Sequence, residues 1–440
     1  MPAEEYRGSA GWRVVIAVAV AALTGLVSLV RYELFRSGAS LPYYVQALYA
    51  LAHQGPAAVS SWASHQPILG VHGPLILLPL SYLMAGGGLG LVLVVQAAAV
   101  GIGFVYLDDW LAAQDTPWPR RRVMGWAYLL SSLLWGMVGQ DFHPLVLAVP
   151  ALMAAATLLD RGRVAAGLVA LTVALLCGFS LLPAALVLAL VLAARQRPAA
   201  ALAAAAWSAA ATLAALSATG ARLAVLLGLP AHLAAPAATS HVALYVGYLL
   251  VPVLVFGVSA GTLWLLPALW IMAVNIGIGT PAATSPFASA SALAAPFLLL
   301  ALAATLADGR FWRWRRLSMA VYVLMFVVFL GHEAGLRHDG PPLGQLTAVT
   351  AAMAVVPAHA TVVTVPYTAA HLAARAHLLP LVGAPLWPAH SYVVVDTTYT
   401  APIPAGALPP ALARLKRDAK IKYSFDGMWV FYLPHQERGL

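Results

Sequence analysis

Long apolar runs separated by short polar knots dominate the chain from residue 14 to residue 331. Uncharged stretches recur at roughly 14–30, 88–107, 123–139, 145–159, 164–180, 181–194, 199–217, 241–257, 261–276, 287–306 and 317–331. Many approach the roughly 20 residues that an α-helix needs to cross a ~30 Å hydrocarbon core. The pattern predicts an all-α polytopic membrane bundle of about eleven spans, with the two runs around Pro183 also readable as one broken helix. The run from His72 to Ala85 is bounded by breakers and is shorter, which suits a re-entrant or interfacial helix. Tyr43, Tyr44, Tyr49 and Trp62 make 40–62 read as an amphipathic helix on the bilayer surface. Such aromatics form either an interfacial belt or a groove for a lipid-linked sugar.

After about residue 340 the period shortens. ATVVTVPY (360–367) and SYVVVDTT (391–398) are β-branched runs that read as strands. PPALARLKRDAK (409–420) opens with proline and spaces its apolar residues as an amphipathic helix. In YSFDGMWVFYL (423–433), Asp426-Gly427 between strand formers predicts a hairpin. The expected organisation is a transmembrane helical domain over 1–335, followed by a small soluble α/β domain over 340–440.

Composition supports a lipid environment. The chain is 62% hydrophobic and 9% charged, against about 25% charged in soluble domains, whose surfaces must stay wet. The formal charge of +9 lies in short knots: Arg120–Arg122, Arg161 with Arg163, Arg195 with Arg197, and Arg310 through Arg316. Between apolar runs such knots set orientation, so membrane lipids are the expected partner and nucleic acid is not. With the N-terminus inside, all four knots fall on the cytoplasmic side only if 72–85 does not cross. Residues 31–72, 140–144, 218–240, 277–286 and everything after His332 are then outside. The expected location is the plasma membrane, multi-pass, with an extracytoplasmic C-terminal domain. The first apolar core is longer than a cleavable signal's and reads as an uncleaved span. The single cysteine, Cys177, sits in an apolar run, so a disulfide framework and a thiolate metal site are both excluded.

Several short motifs, in order, resemble an uncharacterised family of prokaryotic membrane proteins, domain of unknown function 2079. They are SLPYYVQALYALAHQG (40–55), HGPLILLPLSYLM (72–84), the glutamine-bearing LVLVVQAAAVGIG (91–103) and Asp141-Phe142-His143-Pro144. In the tail, His371, Leu372 and Arg375 occupy the family's His-Leu-x-x-Arg positions. That family is distantly similar to GT-C glycosyltransferases. The resemblance therefore implies handling of polyprenyl-phosphate-linked sugars at the outer face, with Tyr44, Gln46, His72, His143, His371 and Arg375 as substrate-binding residues. The chain departs from the family where Ser40 and Val45 replace its first-loop acids, and where Gly178-Phe179-Ser180 replaces a Lys-Glu-Asp cluster.

The remaining acids can be sorted by place. Most fall beside arginine knots, in the linker or in the tail, which leaves Glu33 and Asp141 as outward-facing catalytic candidates. In a sugar transfer either would act as a general base or bind a divalent metal. Asp141 reads alternatively as a cap of the span beginning at Pro144, and Glu33 as a solvated ion pair with Arg31 or Arg36. His53, His65, His72 and His143 match no compact metal motif, and no metal ligands are assigned. His371 and Arg375 lie one helical turn apart and suit either an anionic headgroup or a solvated helix face. Spans nearly free of ionisable groups argue against an ion-coupled transporter. A non-catalytic scaffold or lipid-carrier-binding protein is the alternative to a transferase.

Overall fold

The computed structural model describes residues 3–38, 40–62, 66–69, 74–139, 141–219, 239–254, 263–278, 291, 293–309, 312, 315–335, 340–375, 377–382, 384, 386–399, 403–404 and 406–439. These residues are mostly helical, with a mixed sheet near the C-terminus. The helices are α1 (Ala3–Glu33), α2 (Leu41–Gln54), α3 (Leu77–Ala113), α4 (Trp118–Leu129), α5 (Ser132–Gly139), α6 (Pro144–Asp160), α7 (Val164–Cys177) and α8 (Leu182–Ala194). They continue as α9 (Pro198–Thr219), α10 (Thr239–Leu254), α11 (Leu265–Ile278), α12 (Ala295–Asp308), α13 (Arg315–Gly335), α14 (Leu346–Ala354), α15 (Pro366–Leu372) and α16 (Leu408–Asp418). Among the described residues two helices are long and apolar enough to cross a membrane, Gly11–Glu33 and Leu77–Ala113. The other apolar helices that follow the predicted runs are shorter, mostly 10–17 residues. Two departures from the predicted runs have local causes. The run 123–139 is divided at Leu130–Ser131, where the indole of Trp135 donates to the freed Leu129 carbonyl at 2.7 Å. The run from His72 continues into α3, but Gly88 inside it has φ 70 and ψ −178, so about one helical stretch ends there and another begins.

The chain divides into two compact units. The first comprises Met1–Val27, His72–Ile76 and Leu93–Glu333. Here α6 packs along α7, and α8 along α9. Ion pairs draw several helix ends together. Arg121 grips Asp108 through both guanidinium arms, Arg13 meets Asp109, and Arg195 reaches Asp160 at 2.6 Å. The Trp110 indole donates to the same Asp160 at 2.8 Å, and Arg195 lies 5.2 Å from the Trp264 ring. Arg120 caps α12 by donating to the Leu306 and Ala307 carbonyls at 3.3 and 3.1 Å. The basic knots at 120–122 and 195 and the acids beside them thus meet at one end of this unit, each buried charge matched as a low dielectric requires.

The second unit comprises Ser28–Val71, Leu77–Val92 and Ala334–Leu440. Its sheet runs in the order β4 (Leu378–Pro380), β3 (Thr361–Thr364), β6 (Ser391–Asp396), β8 (Met428–Leu433), β7 (Lys420–Phe425). β3 is parallel to β4 and β6, whereas β8 is antiparallel to β6 and β7. Val393, Val394 and Val395 are buried on both faces of β6, as expected of a central strand. Asp426 and Gly427 turn the predicted hairpin with positive φ. The apolar half of ATVVTVPY forms β3, but Pro366 opens α15, because its fixed φ suits a first helical turn. Two short pairs, β1 (Val59–Ser60) with β2 (Gln66–Pro67) and β5 (Leu386–Trp387) with β9 (Glu437–Arg438), complete the unit. The amphipathic helix expected over 40–62 stops at Gln54, where Gly55 has φ 76. Its apolar face packs on α15.

Candidate functional site

The predicted residues fall in two places. In the first unit Asp141 is 1% exposed and sits at φ 70, unusual for a residue with a Cβ. Its backbone is clamped by Gln96 of α3: the Gln96 amide donates to the Asp141 carbonyl at 2.9 Å, and Gln96 Oε1 accepts from the His143 backbone at 3.1 Å. His143, not Asp141, caps α6, its Nδ1 accepting from Leu145 N at 3.2 Å with Pro144 following. The capping role expected of Asp141 therefore belongs to its neighbour. His72 and His65 lie outside the described residues. Gln96 went unassigned in the sequence, though an amide inside an apolar run is costly enough to have flagged it.

The other candidates belong to the second unit. Gln46 of α2 is 1% exposed and holds the 60–62 turn: its Oε1 accepts from Ser60 Oγ at 2.8 Å and Trp62 N at 2.9 Å, and its amide donates to Ser61. Ser61 bridges onward to both backbone groups of Leu378 at 2.8 and 3.0 Å. Gln46 thus ties α2 to the sheet. Tyr44 is half-buried on α2 beside Tyr43. Arg375 is 7% exposed and donates to the carbonyls of Leu372, Pro357 and Ala360, so it fastens the end of α15 and is no solvated helix face. Glu33 is exposed and makes no ion pair among the described residues, so the expected pair with Arg31 or Arg36 is not formed.

His371 has a different setting. Its ring stacks on Tyr32 at 4.1 Å and lies 4.1 Å from Phe35, and its Nε2 meets the Tyr32 carbonyl at 2.9 Å. Burial pushes its pKa down to about 4, against a smaller upward pull from that carbonyl. The imidazole is therefore neutral at physiological pH and donates from Nε2. It borders a cavity of about 270 Å³ within the second unit. Tyr32, Tyr49 and His53 supply further polar edges, while Val45, Met84 and Leu89 supply apolar wall. His53 is held over Tyr49 at 4.1 Å. Gly88, the break in α3, lines the same space. No acid lines this cavity among the described residues, and none of them forms a cluster of three or more metal-ligating side chains. An apolar pocket with a few convergent hydrogen-bonding rings suits an uncharged or amphiphilic ligand better than a bare metal ion.

With that geometry in place, the chain can be compared with known proteins. Residues 31–232 match the family described as Predicted membrane protein (DUF2079). The matched stretch includes α2, Gln46, Gln96 and the Asp141-Phe142-His143-Pro144 loop. The DUF2079 description assigns no activity, and the tail with His371 and Arg375 lies beyond it. No curated protein and no solved structure matches the chain.

Proposed function

We propose that this chain is a membrane-embedded protein that binds an amphiphilic, lipid-linked ligand of the polyprenyl-phosphate-sugar class in the cavity bordered by His371, Tyr49 and Leu89. The observation carrying this reading is the cavity itself. Its aliphatic wall suits an isoprenoid segment, and its ring edges suit sugar hydroxyls, since neutral imidazole and phenol can both donate and accept. No carboxylate stands among its described lining to hold a divalent metal beside a phosphate, which favours binding over metal-assisted transfer there. The family that the motifs resemble is distantly similar to GT-C transferases, which points to the same class of ligand.

Polyprenyl phosphate should copurify with the full chain from native membranes, detected by lipid mass spectrometry. Ala52→Trp, which fills the cavity from the half-buried face of α2, should cut that yield at least tenfold while leaving expression intact. Wild-type protein free of such lipid would overturn the reading.

A transferase is the second reading, favoured by Asp141. A fully buried acid between apolar helices is costly to keep, and such acids commonly serve a function. Its carboxylate would serve as general base on the acceptor. Asp141→Asn should then abolish sugar transfer without loss of protein; retained transfer would remove Asp141 from the reaction. In either reading the end of the first unit that gathers Arg121 and Arg195 faces the cytoplasm, and the C-terminal sheet lies outside. A cysteine at Ala358, exposed in the turn before β3 and away from strand β7, tests this, because native Cys177 is buried. Impermeant reagents should label it in intact cells, and labelling only after lysis would reverse the orientation.

A further inference from the structure

Strand β7 ends the five-stranded sheet, and it is a poor edge for pairing with another chain. Five of its six residues, Lys420, Ile421, Lys422, Ser424 and Phe425, are exposed. Ile421 is 50% and Phe425 65% exposed, so large apolar side chains stand in solvent beside two lysines. The surrounding cations are not balanced locally. Arg417 is paired with Asp418, and Arg414 with Glu437, but Lys416, Lys420 and Lys422 form no ion pair among the described residues. Instead, Lys416 lies 4.1 Å from the Trp429 ring and Lys422 lies 5.7 Å from Tyr432, which meets Tyr392 edge-on at 5.4 Å. The result is a sheet edge with rings and long-stemmed cations on both faces: Phe425, Lys420 and Lys422 with Tyr432 on one, Ile421 and the Lys416–Trp429 pair on the other.

We infer that this β7–β8 hairpin is a docking surface for an anionic lipid bilayer. Two observations choose that occupant. The unmatched lysines complement acidic headgroups. Phe425, Ile421 and the ring-stacked lysine stems have the chemistry of an interfacial layer, with apolar bodies to bury and polar tips to keep wet. A second copy of the chain is disfavoured at the same edge, because two lysine-bearing strands would repel.

The test uses the full chain with Ser424→Cys carrying an environment-sensitive fluorophore, reconstituted in single-copy nanodiscs. Discs containing phosphatidylglycerol should give blue-shifted emission that spin-labelled lipid quenches, whereas purely zwitterionic discs should give the solvent value. Lys420→Gln and Lys422→Gln replace exposed side chains, and each should lower the docked fraction roughly fivefold, as should added salt. Equal emission in the two disc types, or indifference to both substitutions, overturns the inference. Emission that shifts only when a disc holds two copies assigns the edge to self-association and overturns it as well.

Discussion

The imidazole of His371 loses its proton affinity to burial, and this makes the second unit sensitive to acid. Unfolded, the group keeps its ordinary value of 6.5; folded, it titrates at about 4. Between those values the unfolded chain binds more protons, so stability rises with pH through that window and is complete above it. Thermal unfolding of the detergent-solubilised chain should therefore show a midpoint falling by several degrees between pH 6.5 and 4, and His371→Phe should flatten that slope. Asp396 tests a different kind of burial. This fully buried carboxylate accepts from Tyr367 Oη at 2.5 Å, Thr398 N at 2.7 Å, Tyr399 N at 3.1 Å and Gln345 at 3.2 Å. Its charge raises the Tyr367 phenol pKa, after the larger effect of burial. Asp396→Ala strands these donors and should cost about 3 kcal/mol, read as lost hydrogen-exchange protection in β6 and β8. Neither setting could be read from the sequence. An acid after a valine run and a histidine in a short motif look alike whether solvated or enclosed.

At the scale of elements, local chemistry wrote the C-terminal structure openly. Asp426-Gly427 announced the hairpin because only residues tolerant of positive φ close such a turn, and Pro409 with spaced leucines announced α16. Gly427→Ala should cost about 2 kcal/mol, since a methyl there must adopt φ 78 and also meets the Thr398 hydroxyl. Urea unfolding of the solubilised chain checks it. The helical portion was legible as runs but not as lengths. Apolar residues continue through Leu130 and Gly88 alike, so hydropathy sees one run where the backbone breaks. The cavity was least visible, because its walls come from α2, α3 and α15, whose proximity depends on tertiary contacts between residues hundreds apart in sequence.

At the scale of the whole molecule, the proposed orientation gives the arginine knots two successive uses. Charge pattern alone assigned 120–122 and 195–197 to one side of the membrane as an expectation; what the structure adds is that Asp108 and Asp160 receive Arg121 and Arg195 inside the first unit. Removing one partner should be worse than removing both. Asp108→Ala should cost about 3–5 kcal/mol by leaving a guanidinium enclosed, and a double Asp108→Leu, Arg121→Met variant should recover most of the loss, measured by thermal aggregation in detergent. The chain that a translocon reads is not the chain that finally stands in the bilayer. In the proposed orientation Arg13, Arg121 and Arg195 count as free positive charge during insertion, and in the folded chain they stand in pairs with Asp109, Asp108 and Asp160. A substitution of their aspartates would leave the instruction for threading intact while spoiling its product, so correctly oriented but loosely assembled protein is the phenotype such variants should produce.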